Sequence, residues 1–282
     1  MSNNGIGSPY QNHKLISQTA VVGDSVVVGE GIQIGHFCVI CDEVVIGNHV
    51  TLGHGVIIGK GVTLGSGVRI GNHVCIEEGA SIGEGVTIMD HAVVGKQPFR
   101  AKRSILASHG QLEPAVLEDG STLGTSSIVY AGARLGPHVF VADLATVRER
   151  VQIGYGTIIG RGASIENDCE IGQRCKIETN AYLTAYSHVE DDVFIAPGVI
   201  TSNDNFMGRT AERFKHMKGI TIRQGGRLGA GVVTLPGVIV QREGTAAAGS
   251  VVTKDIEQQQ LVMGAPARIL REVPEAQLLK SQ

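Results

Sequence analysis

The chain has few aromatic residues and no tryptophan: Phe, Trp and Tyr make up only 4% of its 282 residues. This composition disfavours a broad globular core filled by large rings. No window approaches the roughly eighteen apolar residues of a membrane-spanning helix. Residues 1–14 are polar and lack the apolar region of a signal peptide. We therefore expect a cytoplasmic protein with no membrane partner.

An excess of one charge is also absent. The chain has 24 Lys and Arg against 27 Asp and Glu, a formal net charge of -3 at pH 7. Polyanions are bound through clustered positive charge, and no basic cluster here is large enough to form such a surface. Nucleic acid is therefore not an expected partner.

Glycine, in contrast, is abundant, with 39 residues set within a six-residue repeat. An aliphatic residue recurs at every sixth position through thirteen hexads in 22–94 and fourteen in 117–195, and a weaker series of five hexads follows in 228–252. A period of six matches neither a helix nor one long alternating strand, so the chain must bend once per repeat.

Each hexad has a regular pattern, as in residues 46–51. The first and fifth positions are apolar, the second is usually Gly and the others are polar. The pattern predicts short strands joined by tight corners, with the second-position Gly relieving Cβ strain at a sharp turn. Hexads of this kind are typical of a parallel β-helix, an all-β fold. At three hexads per coil we expect about ten to eleven coils, a prism on the order of 50 Å long.

Cysteine is sparse, and three of the five cysteines fit the same pattern. Cys38 and Cys41 are spaced as a CxxC, which is compatible with a metal or redox pair, although zinc would need two further ligands. Because Cys38, Cys169 and Cys175 occupy the fifth hexad position, we interpret them as buried structural thiols.

The expected organisation is a single solenoid with two interruptions. A lead-in at 1–21 precedes one β-helix domain at 22–256, and a tail with a short helix follows at 257–282. The breaks at 95–116 and 202–221 are expected to be long external insertions.

Both insertions carry candidate ligand-binding residues. Lys96 and Arg100 belong to a basic stretch suited to phosphate groups, or alternatively to a solvated loop. Asn203, Asp204 and His216 lie in the second insertion. Long loops without an element of their own are commonly binding loops, so this one is expected to bind substrate or reach a neighbouring subunit.

Residues eighteen apart are expected to stack, since three hexads make one coil. Two polar columns then form at two corners, one of Arg148, Glu166 and Thr184 and the other of Asp143, Arg161 and Thr179, with Asn180 beside the last. A surface ion pair between Arg148 and Glu166 would contribute little to stability. The concentration of polar replacements between 143 and 190 nevertheless favours a ligand groove.

The histidines allow a metal hypothesis. The spacing of His13, His49 and His54 is similar to that of the three-histidine zinc site of γ-class carbonic anhydrases on this fold, and three imidazoles suffice for catalytic zinc. In that family the pair follows HGxxxH, whereas Gly59 stands here where the second ligand is needed. We therefore expect no metal.

Several segments carry a more specific resemblance. They are ADLATVRE (142–149), KIETNAYLTAYS (176–187), VFIAPGVITSNDNFMGR (193–209) and, near the end, AAGSVVTKDI and MGAPARILREVPEAQLL. They resemble the hexapeptide-repeat nucleotide-sugar N-acyltransferases, which transfer an acyl group, commonly acetyl, from a coenzyme A thioester to the amine of a dTDP- or UDP-linked amino sugar. The resemblance implies a left-handed β-helix and a homotrimer with each active site between two subunits.

The resemblance also assigns roles to residues. Coenzyme A would contact the backbone near Ala230 and Ala248, with its phosphates close to Lys254 and Arg268. Asn180 matches an active-site asparagine that would orient the amine. The remaining candidates are His188 and His216 as bases and Asp143 and Glu166 as anchors of sugar hydroxyls.

Two other functions stay open from the residues alone. A sugar or serine-type O-acetyltransferase would normally need a histidine base, since a hydroxyl is far less acidic than an ammonium group. A non-enzymatic scaffold would bind no acyl-CoA.

Overall fold

A computed structural model describes residues 15–99 and 110–281. In these residues, short strands form three sheets that make the three faces of a prism. Sheet A consists of β1 (Leu15–Ile16), β4 (Gln33–Ile34), β7 (Thr51–Leu52), β10 (Arg69–Ile70), β13 (Thr87–Ile88), β16 (Thr122–Leu123), β19 (Phe140–Val141), β22 (Ile158–Ile159), β25 (Lys176–Ile177), β28 (Phe194–Ile195), β31 (Arg227–Leu228), β34 (Thr245–Ala246), β36 (Gln260–Gly264) and β37 (Ala267–Glu272).

The other two faces have the same construction. Sheet B consists of β2 (Val21–Val22), β5 (Val39–Ile40), β8 (Ile57–Ile58), β11 (Cys75–Ile76), β14 (Val93–Lys96), β17 (Ile128–Tyr130), β20 (Thr146–Val147), β23 (Ser164–Ile165), β26 (Tyr182–Leu183), β29 (Ile200–Thr201), β32 (Val233–Thr234) and β35 (Val251–Val252). Sheet C consists of β3 (Val27–Val28), β6 (Val45–Ile46), β9 (Thr63–Leu64), β12 (Ser81–Ile82), β15 (Val116–Leu117), β18 (Arg134–Leu135), β21 (Gln152–Ile153), β24 (Glu170–Ile171), β27 (His188–Val189), β30 (Thr221–Ile222) and β33 (Ile239–Val240).

Strands one coil apart pair in parallel. Arg69 lies between Thr51 and Thr87, eighteen residues away on either side. The register jumps at the two insertions, where Val93 pairs with Ile128 and Ile200 with Val233. The predicted all-β, parallel β-helix is confirmed, and its form is consistent with left-handed winding.

The core is a column of stacked aliphatic side chains. The second residue of a strand and the residue two before it both face inward, as at Leu52 (3% exposed) and Val50 (0%). The interpretation of the fifth-position thiols is confirmed: Cys169 and Cys175 are fully buried. Burial raises the pKa of Cys169 to about 12 and that of Cys175 to about 11. Cys38 is also buried and is not disulfide-bonded to Cys41.

The reason for glycine at the second hexad position differs from the expectation. The left-handed φ falls instead on the fourth position, as at His49 (56°) and Gly61 (68°). A Cβ at the second-position Gly47 would lie 2.7 Å from the backbone nitrogen of Ser66 in the next coil. Gly47 is therefore required because successive coils approach closely at their corners, not because of its own φ.

Asparagine and aspartate at the third hexad position link successive coils. The Oδ1 of Asn48 accepts a hydrogen bond from the N–H of Glu30 (2.9 Å), and Asn72 accepts one from His54 (2.9 Å). These side chains satisfy corner N–H groups that the strand ladders leave unpaired.

The solenoid has more coils than the ten to eleven predicted, because sheet B alone contributes 12 strands, one per coil. Ile16, Thr201, Ile222 and Val262 occupy strand positions that the regular series of hexads did not include. Thr201 fits an inward position although it is polar, because its hydroxyl accepts a hydrogen bond from the N–H of Thr184 (2.8 Å).

Helix is scarce in the ranges 15–99 and 110–281. The second insertion contains α1 (Arg213–His216), and the C-terminal segment has two 3-10 turns, Glu275–Gln277 and Leu279–Ser281. These turns follow the antiparallel hairpin of β36 and β37, so the expected short C-terminal helix is 3-10 in type. No helix in these ranges has the length and apolar character needed to cross a bilayer.

Candidate functional site

The corners of the coils stack into three edges. We define the first edge as the corner between sheets A and B, the second edge as that between B and C, and the third edge as that between C and A. Both insertions leave from the second edge, 97–115 after β14 and 202–220 after β29. In a three-sided prism, each edge is separated from the opposite face by the core.

The predicted site residues divide between these edges. The first edge carries Asp143, Asn180, Ala230 and Ala248, and the second carries Lys96, Glu166, Asn203, Asp204 and Lys254. His188 lies on the outer face of sheet C, His216 in the second insertion and Arg268 in the terminal hairpin. Arg100 lies outside the described residues.

Asn180 is exposed at a corner of the first edge. Its φ of 57° is left-handed, and its backbone N–H donates to the carbonyl of Arg161 (2.9 Å) in the coil below. A Cβ at Gly162 would lie 2.5 Å from Asn180 Oδ1, so the amide oxygen covers this glycine. The side chain therefore points down the edge onto the coil below, and it is exposed to a ligand on the surface.

The hydrogen bonding of the first edge changes along its length. In the lower part, Asp143 Oδ1 accepts a hydrogen bond from the N–H of Thr125 (2.8 Å). Asp143, which the sequence suggested as a sugar anchor, therefore links two successive coils. Higher up, Pro197, Ala230 and Ala248 occupy the same hexad position without a side-chain acceptor. Within the described part of the chain, the N–H groups of Ala230 and Ala248 have no hydrogen-bond partner.

These upper corners form a surface of nearly bare backbone. We call it the backbone strip; its exposed residues are Pro197, Gly198, Ala230, Gly231, Ala248 and Gly249. The three glycines have φ values of 66° to 71°, and a Cβ on any of them would meet nothing within 4 Å. The backbone strip begins one coil above Asn180, and Ala230 lies two coils above it, about 10 Å along the prism axis.

Arg148 is the centre of a polar cluster on the second edge. Its Nε and Nη2 donate to the two carboxylate oxygens of Glu149 (2.8 and 3.2 Å), and its Nη1 lies 3.6 Å from Glu166. The guanidinium carbon lies 4.8 Å from the ring centroid of Tyr130. Two carboxylates contact one guanidinium, so the Arg148 cluster is net negative and suits a ligand that donates hydrogen bonds.

Glu166 is the less buried acid of the Arg148 cluster. Burial raises its pKa, the charge of Arg148 opposes this, and Glu149 adds to it. Burial and the charge of Glu166 also raise the pKa of Tyr182, which is 38% exposed on the outer face of sheet B. Residues 180–185 cross sheet B from the first edge to the second, so Tyr182 lies between Asn180 and the Arg148 cluster.

Asp204 orders the second insertion from within. Its carboxylate accepts hydrogen bonds from the N–H groups of Phe206 (2.8 Å) and Gly208 (2.9 Å) and from Arg213 Nη1 (3.2 Å). The hydrogen bond from the Gly208 backbone is the largest cause that holds the pKa of Asp204 below its usual range. These three contacts occupy the carboxylate. Asp204, which the sequence suggested as a substrate-binding residue, therefore holds the insertion in its conformation.

Asn203 and His216 mark the base and the outer part of the same insertion. The carbonyl of Asn203 accepts from the N–H of Lys218 (3.1 Å), and its Nδ2 donates to the carbonyl of Ala185 (3.5 Å). His216 is exposed, with Nε2 at 3.8 Å from Glu212. Asn203 thus joins the insertion to the coil above Glu166, whereas His216 faces solvent.

His188 lies away from Asn180. Its Nδ1 is 3.0 Å from Glu170 Oε2 on the outer face of sheet C, and both side chains are exposed. Sheet C is the face opposite the first edge, so the core separates His188 from Asn180 within one chain. The two residues cannot act on one acceptor group unless a second copy supplies one of them.

The first insertion has an acidic base. A cavity of about 720 Å³ lies there, with Glu77, Glu78 and Glu113 in its lining. Lys96 pairs with Tyr130 across a bulge. Lys96 itself lies four coils below Tyr182, about 19 Å away along the axis. Lys96 is therefore not brought together with Asn180 within one chain.

The two cations proposed for the coenzyme A phosphates are also separated. Lys254 is exposed just after β35 and lies on the second edge. Arg268 is exposed in β37, beside a hairpin turn whose Gly264 N–H donates to Ser250 Oγ (3.2 Å) at the upper end of the first edge. Arg268 thus lies nearer than Lys254 to the end of the backbone strip.

Two pairs of histidines stack one coil apart. His36 stacks on His54 with ring centroids 5.4 Å apart, and His73 on His91 at 5.2 Å. Among the residues with described positions, no three His, Cys, Asp or Glu side chains are grouped to hold a metal ion. His13 lies outside those residues.

Sequence reasoning missed three members of the site. Tyr130 stacks one coil below Arg148, a relation that the eighteen-residue spacing could have revealed. Tyr182 is the outward strand residue beside Asn180. Glu149 is only 1% exposed, and Ala131 (1%) and Asn167 (6%), one coil below and one coil above it, are also buried at the same third hexad position. The eighteen-residue spacing could therefore have revealed this column as well.

The fold and the repeat define a solenoid of the hexapeptide type. The family model "Bacterial transferase hexapeptide (six repeats)" matches residues 49–84. The chain is 27% identical over 172 residues to the bifunctional protein GlmU of Rubrobacter xylanophilus, covering 61% of this chain and 34% of that protein. It is 29% identical over 147 residues to the mitochondrial gamma carbonic anhydrase 2 of Arabidopsis thaliana, covering 50% of each.

The chain therefore spans between a third and a half of the length of these two relatives. Among solved structures, it is similar to a hexapeptide-repeat acetyltransferase of Vibrio cholerae, VCA0836, in complex with acetyl coenzyme A. The identity is 26%, covering 44% of this chain and 71% of that one, with a TM-score of 0.39.

Proposed function

We propose that this protein is an acyl-CoA-dependent N-acyltransferase that acylates the amine of a nucleotide-linked amino sugar, with acetyl as the expected acyl group and dTDP or UDP as the nucleotide. The observation that carries the proposal is the backbone strip. Its N–H groups of Ala230 and Ala248 have no hydrogen-bond partner in the described part of the chain, and they lie on a surface with only small side chains, two to three coils from Asn180.

The backbone strip fits the pantetheine arm of coenzyme A. The arm is a narrow chain with two amide groups, and the N–H groups of Ala230 and Ala248 can donate to its carbonyls. Because a Cβ is missing at Gly198, Gly231 and Gly249, the arm can lie flat against the backbone. The bound thioester would supply the electrophilic carbonyl, and Arg268 lies at the end of the strip where the phosphates would emerge.

The acceptor amine is placed beside Asn180. A neutral amine can attack a thioester without a strong protein base, provided that it is oriented and close. Asn180 Oδ1 can accept a hydrogen bond from the amine and direct its lone pair, and a corner N–H can stabilise the oxyanion. The net negative Arg148 cluster can anchor sugar hydroxyls through Glu166.

A homotrimer of parallel prisms would place a second subunit over this surface and close it.

The test measures release of free thiol from acetyl-CoA by the full-length protein. Acceptors are dTDP- and UDP-linked sugars in matched pairs that carry an amine or a hydroxyl at C3 or C4. We expect thiol release with at least one amino sugar and none with its hydroxyl partner. Release only with hydroxyl acceptors, or none with any acceptor while the protein is folded, would contradict the proposal.

O-acylation is a second candidate because of the His188–Glu170 pair. A histidine whose Nδ1 is held by a carboxylate at 3.0 Å has a free Nε2 that can act as a general base toward a hydroxyl. The candidates differ in the effect of His188→Asn. N-acylation at Asn180 predicts that this variant keeps most activity, whereas O-acylation predicts nearly complete loss.

A further inference from the structure

The third edge contains a cavity that the proposed acyl transfer does not use. It encloses about 330 Å³ beneath the C-terminal 3-10 turns, with Phe194, Arg227, Glu243 and Leu279 in its lining. The third edge is opposite sheet B, so the core separates this cavity from Tyr182 and the Arg148 cluster.

Glu243 supplies a buried negative charge to the cavity. The residue is 6% exposed, and its Oε2 is buried without a hydrogen-bond partner in 15–99 and 110–281. A buried carboxylate oxygen without a donor is unfavourable, since the lost hydration is not replaced. The cavity therefore holds an acceptor that a ligand can satisfy.

Arg227 supplies a positive charge to the same cavity. Its Nη1 donates to Gln277 Oε1 at 3.4 Å, and its guanidinium nitrogens lie more than 4.0 Å from the Glu243 carboxylate oxygens. Burial lowers the pKa of Arg227, while the charge of Glu243 opposes this. The guanidinium is thus partly desolvated without the close carboxylate that usually accompanies it.

The other charged groups around the cavity already have partners. Asp192 accepts hydrogen bonds from Arg174 Nε (2.7 Å) and Gln224 Nε2 (3.3 Å). Lys280 donates to Glu275 (2.9 Å) on the outer side of the turns. Glu243 and Arg227 are therefore the two groups with unused capacity for a ligand.

We propose that this cavity binds a small zwitterion of the amino-acid class, with its ammonium group on Glu243 and its carboxylate on Arg227. The two side chains line one cavity with opposite charges that do not touch, so a molecule carrying both charges fits between them. Phe194 and Leu279 provide an apolar wall for a short carbon chain.

The test is thermal unfolding of the full-length protein with glycine, L-alanine or β-alanine at about 10 mM, since a ligand that binds the native state raises the melting temperature. Sodium acetate with ammonium chloride at equal concentration is the matched control, because it supplies the same charges on separate molecules. We expect at least one zwitterion to raise the melting temperature and the salt mixture to have no such effect.

Two substitutions locate the effect. Glu243→Gln and Arg227→Gln should each weaken binding about tenfold or more, because each removes a charge-assisted hydrogen bond. Lys215→Met removes an exposed cation in the second insertion, away from the third edge, and is the control that should bind as the wild type does. Absence of stabilisation by every zwitterion, equal affinity in Glu243→Gln and the wild type, or a crystal structure with ligand present that shows only water on Glu243 would overturn the proposal.

Discussion

At the residue scale, Asn180 combines a backbone role with the proposed contact to the amine. Its left-handed φ of 57° is tolerated by asparagine and is costly for alanine. Alanine at this position would therefore change both the corner and the amide. The two roles can be separated, because glycine accepts the same φ without a side chain.

We predict that Asn180→Gly lowers turnover about 100-fold, as expected when a reacting group is no longer oriented. The melting temperature should change little, because the corner keeps its conformation. Ser126→Gly is the matched control, since Ser126 has the same φ of 57° on the same edge, three coils lower. Steady-state thiol release measures both variants. If Asn180→Gly keeps more than about half of wild-type turnover, the role of the amide is wrong.

At the element scale, the corner of each hexad has two different requirements. The second position needs glycine because the next coil is close, and the fourth position needs a residue that accepts a left-handed φ. The sequence shows where glycine occurs but not which of these two reasons applies, because both positions are rich in glycine. The distinction required the distances between coils.

Two glycines test this division. Gly47→Ala should destabilise the protein by about 1–3 kcal/mol, because its Cβ would overlap the backbone of the next coil. Gly61→Asn should change stability by about 0.5 kcal/mol or less, because its φ suits asparagine and its Cβ meets nothing within 4 Å. Urea unfolding compares them. Equal destabilisation by the two substitutions would show that close stacking is not the reason for glycine at Gly47.

The second insertion should lose order in acid. The folded pKa of Asp204 is lowered from 3.8, so its ionised form contributes order that is fully present above pH 3.8 and is lost as pH falls through the lowered folded pKa. Asp204→Asn should produce part of this loss at neutral pH, since the charge and one acceptor are removed. Hydrogen exchange of peptides from residues 203–218 measures it, with peptides from 140–160 as an internal control. Unchanged exchange in Asp204→Asn would show that Asp204 does not order the insertion.

At the scale of the whole molecule, the repeat predicted the fold well because every coil repeats the same inward positions. It predicted the stack of Arg148 and Glu166 for the same reason, since eighteen residues return the chain to the same corner. The relation between Asn180 and Ala230 could not be counted in this way, because the second insertion interrupts the spacing between them. The pairings of Phe194 with Arg227 and of Ile200 with Val233 restore the register across the insertion.

The prism also keeps some of the predicted site residues far from Asn180 within one chain. His188 lies on the face opposite Asn180, and Lys96 lies four coils below Tyr182. For Lys96, the sequence places the residue in the interruption at 95–116 without indicating which edge carries it. In a homotrimer, an edge of one prism can meet a face of the next, so a second subunit is the simplest source of further contacts to the acceptor.

The most direct measurement of the account is the affinity of coenzyme A for Ala248→Asn, determined by calorimetry. Asparagine there should accept the Ala230 N–H, as Asn72 accepts that of His54, and so remove a donor from the backbone strip. We predict about tenfold weaker binding, whereas Ser66→Asn, the same change at the same hexad position on the third edge, should bind normally. Equal affinity of wild type and Ala248→Asn, with both folded, would contradict the assignment of the backbone strip to the acyl donor.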